Sequence, residues 1–236
     1  MSANTKSRQC HSSLWLVGVC VILAVCAGNI QADAIALVNA GFENSGGTPE
    51  DGSGLDGVLD GWSILFGSAV GVQNPSSSQI SSEAHSGTYT AFNNQATWGG
   101  GPAQQITGAT WQANTTYTLS AYVARRSDLA LDWGDNTPGH AQLQLWDVDL
   151  EDDVCIAELN YDLTAQGQWE LATLQFTTPA AADYLGHAVT VRFFTLPGSV
   201  QILYDDFALD ATAVPEPATM SLLGLGSLGM LLRRRR

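Results

Sequence analysis

Residues 115–124 read Thr-Thr-Tyr-Thr-Leu-Ser-Ala-Tyr-Val-Ala, and their alternation decides the fold class. Tyr117, Leu119, Ala121 and Val123 fall on one side of an extended chain, with Thr118, Ser120 and Tyr122 on the other. A period of two gives a strand one apolar face to bury and one polar face to leave outside. Two further stretches follow the same rule. His140–Val148 places Leu143 and Leu145 inward and Gln142, Gln144 and Trp146 outward. His187–Thr195 places Val189, Val191 and Phe193 against Thr190, Arg192 and Phe194.

Working outward, strands are predicted at 62–66, 69–73, 88–93, 103–107, 154–160, 169–177 and 200–209. Gly and Pro clusters punctuate them, as at Gly99-Gly100-Gly101-Pro102 and Leu196-Pro197-Gly198. No stretch of the body carries a convincing amphipathic-helix pattern. Many short strands with such turns predict an all-β antiparallel sandwich or jelly roll.

The two ends differ from the body. Lys6, Arg8 and His11 precede an apolar stretch from Leu14 to Ala27, and Ala32-Asp33-Ala34 supplies a small-x-small cleavage site. That layout predicts a secretory signal peptide over residues 1–34, with cleavage after Ala32 nearly as well supported as after Ala34. The chain ends in Pro215-Glu216-Pro217, an apolar run from Ala218 to Leu232, and Arg233-Arg234-Arg235-Arg236. These three parts, in this order over 214–236, resemble the PEP-CTERM sorting signal of Gram-negative bacteria. The resemblance implies export, a transient inner-membrane anchor through a C-terminal helix, and processing by an exosortase at the cell surface. The arginines suit the cytoplasmic side of such an anchor. The prolines keep the segment before it extended.

The body, residues 35–213, is strongly acidic. Between Ile35 and Val214 there are 21 acidic residues against Arg125, Arg126 and Arg192, a formal balance of −18 with no lysine. Such a surface repels nucleic acid and anionic membrane and attracts divalent cations. One cysteine, Cys155, remains, in an apolar run that reads as core. No Gly-x-Ser-x-Gly, His-x-x-x-His, Cys-x-x-Cys or phosphate-loop pattern is present, so the expectation is a non-enzymatic protein.

The order of short motifs carries a second resemblance. Val38-Asn39-Ala40-Gly41-Phe42-Glu43 opens the body, and Asp60-Gly61-Trp62, Ser86-Gly87-Thr88-Tyr89 and Gln104-Gln105-Ile106 follow. Asn114–Ser120 leads into the long strand, and Tyr204-Asp205-Asp206-Phe207-Ala208-Leu209 closes the body. Together they resemble the galactose-binding-like jelly rolls of carbohydrate-binding module family 4/9. That resemblance implies structural calcium where the first and last strands meet, with Glu43 and Asp205 as ligands and Asp206 able to replace Asp205.

A carbohydrate face is expected from Tyr122, Gln142, Gln144, Trp146, Arg192 and Phe194, all opposite the presumed core residues of their strands. Rings stack on sugar C–H faces while amides and guanidinium take hydroxyls. Trp98 and Trp133 offer a loop-built alternative. The acidic run from Asp147 to Asp153 superficially suits an EF-hand loop. Asp152 stands where that loop needs glycine, so a solvated hairpin loop is expected. The function expected is that of a surface-sorted adhesin of the extracellular polysaccharide matrix. The alternative is a structural surface protein acting by self-association or protein contacts; ice binding or a secreted hydrolase ranks below both.

Overall fold

The structure is a computed structural model, and it describes residues 31–44, 46–65, 69–94, 101–129, 139–149, 153–196 and 199–214. The predicted signal peptide up to Ile30, the sorting signal from Pro215 onward, and Trp98 and Trp133 lie outside the described residues.

Among the described residues the chain forms twelve strands and no helix. They are β1 (Asp33–Ile35), β2 (Gly54–Asp56), β3 (Ser63–Leu65), β4 (Val70–Gln73), β5 (Thr90–Asn93), β6 (Gly101–Thr110), β7 (Thr115–Arg125), β8 (Gly139–Asp147), β9 (Val154–Leu163), β10 (Trp169–Thr177), β11 (Ala188–Thr195) and β12 (Ile202–Ala213). Two antiparallel sheets result. One has seven strands in the order β10-β7-β12-β5-β4-β2, with β1 on the far half of β12; the other has five, β3-β6-β11-β8-β9.

The alternation read from the sequence is the alternation that packs. Tyr117, Leu119, Ala121 and Val123 of one sheet meet Leu143, Leu145, Val189, Val191 and Phe193 of the other in a single buried core. Phe42, Trp62, Phe193 and Phe207 form its aromatic centre, with ring centroids 4.9–5.9 Å apart. Tilted and edge contacts of this kind favour the ring quadrupoles.

Gln104 is buried on the inward face opposite Val191. Its amide closes the entry of the chain, donating to Val38 and Gly61 carbonyls and accepting from the Val38 N–H. A small second core of Ile80, Phe92, Ala124 and Leu203, with Trp169 against it, lies on the outer side of the seven-stranded sheet. The segment after β4 thus covers that outer side.

Strand β1 was not predicted. It begins at Asp33, inside the expected cleavage site, and pairs with Asp210 and Ala211 of β12. Cleavage after Ala34 would remove two of its three residues, whereas cleavage after Ala32 keeps it whole.

Two irregularities position the candidate sites. In β12 one extra residue enters between Asp205 and Ala208 opposite Tyr122 and Ser120 of β7, and Asp206 has φ 47°. In the β8–β9 pair Leu145 faces Ala157 while Trp146 faces Cys155. The extra residue, Ile156, is therefore in β9, and β8 keeps its strict alternation.

Candidate functional site

The outer face of the five-stranded sheet carries five of the six residues expected to bind sugar. On β8, Gln142, Gln144 and Trp146 lie opposite the core-facing Leu143 and Leu145. On β11, Arg192 is opposite Gln144, and Phe194 opposite Gln142. Cross-strand partners share a face.

These side chains form one connected row. Trp146 Nε1 donates to Gln144 Oε1 at 2.5 Å. Gln144 Nε2 donates to Gln142 Oε1 at 2.8 Å, and Gln142 Nε2 to Asn160 Oδ1 on β9. Glu158 Oε2 accepts longer bonds, 3.4 Å, from both glutamines. Each amide thus fixes the orientation of the next.

The Arg192 guanidinium sits 4.2 Å above the Trp146 ring centroid. Among the described residues it makes no hydrogen bond or ion pair, and its Nε is buried without a partner, as is Thr190 Oγ1 beside it. Burial pulls the Arg192 pKa below its usual value.

Two expectations need correction. Tyr122 is not on this face. Strand β7 pairs with β10 and β12, so Tyr122 projects from the other sheet, where the His85 ring stacks on it at 3.4 Å. The connection after Arg125 carries the chain from one sheet to the other, and strand periodicity holds no information about that crossing. The face is also more enclosed than an outward reading implies. Gln142, Gln144, Arg192 and Phe194 are each under a tenth exposed, Trp146 is half-buried, and Glu158 and Asn160 on the edge strand are exposed.

Cys155 joins this face opposite Trp146. Burial pushes its thiol up to about 11, Glu158 adds to the rise, and Arg192 opposes it. At neutral pH it is a thiol and not a nucleophilic thiolate.

Glu43 and Asp205 both bond to the loop before β5, at a second place in the fold. Glu43 Oε1 accepts the N–H groups of Thr88 and Tyr89 at 3.0 and 2.9 Å. Asp205 Oδ2 accepts those of His85 and Ser86, both at 3.1 Å, and its Oδ1 accepts the Asp206 N–H at 2.8 Å. Asp206 takes His85 Nδ1 at 2.6 Å and Ser86 Oγ at 2.7 Å.

The two glycines of this region leave the carboxylates their room. A Cβ on Gly87, φ +63°, would lie 2.3 Å from Glu43 Oε1, and one on Gly41 3.2 Å from Asp206 Oδ1. Burial pushes the Asp205 carboxyl up to about 7, with Asp206 adding to the rise and its three N–H donors opposing it. Among the described residues no group of three or more His, Cys, Asp or Glu side chains is placed to hold a metal. Both carboxylates accept N–H groups of the 85–89 loop, and most of their oxygens are used in backbone bonds.

The acidic run at the β8–β9 turn has strands on both sides. Asp147 accepts from Asp149 N–H and His187 Nδ1, both at 2.8 Å.

The comparisons extend this picture. The model of the HpiC1-like family, described as HpiC1 cyclase, matches residues 33–210. The chain belongs to the HpiC1-like family. Solved structures share its fold. A Stig cyclase from Fischerella sp. TAU, in complex with (3Z)-3-(1-methyl-2-pyrrolidinylidene)-3H-indole, is 22% identical with a TM-score of 0.65, over 78% of this chain and 100% of that one. A second Fischerella sp. TAU cyclase is 20% identical with a TM-score of 0.64, over 79% and 100%. The CBM22-1 xylan-binding domain from Paenibacillus barcinonensis is 16% identical with a TM-score of 0.52, over 80% and 100%. At these identities the likeness establishes the jelly-roll fold that this HpiC1-like chain shares with cyclases and a carbohydrate-binding module. No curated protein matches.

The PEP-CTERM protein-sorting motif matches residues 213–236. This HpiC1-like chain is therefore marked for export to the cell surface or extracellular space, and its motif implies processing by an exosortase.

Proposed function

We propose that the body is a non-enzymatic glycan-binding module of the extracellular matrix, and that it binds on the outer face of the five-stranded sheet. One observation carries the reading. Arg192 is under a tenth exposed, its Nε is buried without a hydrogen-bond partner among the described residues, and it rests on Trp146 at the end of an ordered amide row. A guanidinium held without a partner beside pre-oriented amides suits a ligand rich in hydroxyls. Trp146 Nε1 is already used, and one ring face is covered by Arg192. The polar row therefore supplies most of the recognition, with the indole fixing the arginine. The acidic body repels polyanions at long range, so the glycan is a neutral polysaccharide.

Calcium bridging Glu43 and Asp205 belongs to the same reading as a structural ion. It is supported by the convergence of both carboxylates on one loop, and a hard cation there would offset the cost of ionising Asp205.

Native gels cast with neutral polysaccharides test the binding. The protein should be retarded in at least one of them, and Arg192→Ala should run as it does without polysaccharide. Equal retardation of wild type and Arg192→Ala would remove this face from the reading.

Family membership favours a second reading, turnover of a small molecule by a cyclase-like chemistry. Burial pushes the Asp205 carboxyl up to about 7, into the range where a general acid operates at neutral pH. Its oxygens, however, are taken up by three backbone N–H groups beneath the 83–89 loop. Conversion of an indole substrate that Asp205→Asn abolishes would favour this reading over the first.

A further inference from the structure

Strand β12 carries the fold right up to the sorting motif. Ala213 pairs with Thr115 of β7, and the Val214 N–H donates to the Asn114 carbonyl at 2.7 Å. Pro215, the first residue of Pro-Glu-Pro, follows directly. Pro215 and Pro217 lack the N–H groups that would continue the strand. Consecutive Cα atoms are about 3.8 Å apart, so the triplet begins one such step from the last backbone hydrogen bond. The apolar run opens at Ala218, so no more than about 14 Å of extended chain separates it from Val214.

Three chain ends are tied together around this exit. The Asn114 N–H donates to the Pro179 carbonyl at 3.3 Å. Thr178, just past β10, donates its N–H to the Thr115 carbonyl at 2.9 Å, and its Oγ1 accepts the Thr115 N–H at 2.9 Å. The turn before β7, the end of β10 and the end of β12 thus form one rim. Its composition is unlike that of the body, which has 21 acidic residues between Ile35 and Val214. None of residues 111–114, 177–182 and 211–214 is charged, although Asp33, Asp183 and Asp210 border them. Ala113, Pro179, Ala180 and Ala213 are exposed, and so is Val214. Small uncharged side chains are covered by a partner at little cost, whereas a charge covered without a counterpart is costly.

We propose that this rim is a docking surface for the exosortase, which engages Pro-Glu-Pro and the folded end of the body together. The partner follows from the length of chain between fold and motif. An enzyme that recognises an extended peptide lines it on both sides along its length. One that holds Pro215 stands within a few ångströms of Val214, so its surface meets Asn114, Pro179 and their neighbours. The inference rests on the sorting reading and is independent of the glycan face.

The test is the rate of tail removal from the full chain in cells that carry the exosortase, followed by pulse–chase and mass spectrometry. Ala113→Glu combined with Ala180→Glu should slow removal by about tenfold or more, the effect of covering charges that have no counterpart. Gln166→Glu combined with Gln168→Glu makes the same charge change at the other end of β10 and should leave the rate unchanged. Both pairs should melt as wild type does, because all four side chains are exposed. A flexible insert of about eight Gly and Ser residues between Val214 and Pro215 should restore the rate of the Ala113/Ala180 pair, since the enzyme then reaches the motif without covering the rim. In the wild type the same insert should not speed removal.

Equal rates for wild type and the Ala113/Ala180 pair, or equal slowing by the Gln166/Gln168 pair, overturn the docking and leave the sorting signal standing. So does a slowed pair that the insert does not rescue. Faster removal from the wild type with the insert would show that the folded end obstructs the enzyme, which also overturns it. A wild type that keeps its tail beside an exosortase overturns the docking and the sorting reading together.

Discussion

Replacing Trp146 with alanine separates a binding platform from a core residue. Trp146 is half-buried near the end of β8, beneath Arg192 at 4.2 Å and donating to Gln144 at 2.5 Å. A partly desolvated cation–π contact is worth about 0.5–2 kcal/mol. The hydrogen bond adds about 0.5–1.5 kcal/mol, and the two together give about 1–3 kcal/mol. A fully buried large aromatic cut to alanine costs about 3–5 kcal/mol instead. In a domain of this size 1 kcal/mol moves the melting temperature by about 2–4 °C, so a fall of roughly 2–12 °C is expected.

Trp146→Phe keeps a ring beneath Arg192 and loses only the N–H donor, so it should fall by less than half as much. Urea unfolding with an unchanged m-value reads the stability, and gel retardation reads binding in parallel. Trp146→Ala should lose most retardation even where the fold is intact. A cost above about 4 kcal/mol, in the range of buried aromatics, would place Trp146 in the core. Equal costs for Phe and Ala would show that the ring does not support Arg192.

Four further outcomes follow from the loop clamp and the tail. If calcium bridges Glu43 and Asp205, EDTA should lower the melting temperature by about 5–10 °C, from about 2.7 kcal/mol at a hundredfold excess over Kd, and Asp205→Ala should abolish that response. In EDTA the raised Asp205 pKa has a definite sign: the unfolded chain loses its proton first, so urea stability should fall between about pH 4 and pH 7 and then level off. Gly87→Ala should destabilise by about 1–3 kcal/mol, because it combines a left-handed backbone with a collision against Glu43, and Glu43→Ala should relieve part of that cost. In cells with an exosortase, mass spectrometry should find the apolar tail removed, whereas alanines at Pro215–Pro217 should leave the tail attached and the protein in the membrane.

The strands and their inward faces were legible because burial and the pleat share one period. Leu119, Leu143 and Val191 are each fully buried on the side their spacing gave. The motifs at the two ends of the body singled out Glu43 and Asp205, but not the 85–89 loop whose N–H groups both accept. Sheet membership was not. Tyr122 and Trp146 carry the same alternation, and only the crossing after Arg125 puts them on different sheets. Enclosure of the outer face was equally invisible, since a glutamine opposite a leucine reads as exposed until its partners are known. Arg125 is buried on the inward side, and that could have been found. Continuing the alternation of Tyr117 to Val123 by one step puts an arginine on the core side, and that mismatch was the signal.

The central claim is that glycan binds along Trp146, Arg192, Gln144 and Gln142. The most direct measurement is a side-chain NMR titration with the neutral oligosaccharide that binds best on a glycan array. The Trp146 indole N–H and the Gln142 and Gln144 amide signals should shift together and saturate, while the Trp169 indole on the opposite sheet stays in place. Saturable binding that moves Trp169 and leaves Trp146 and both glutamines unchanged would contradict the account.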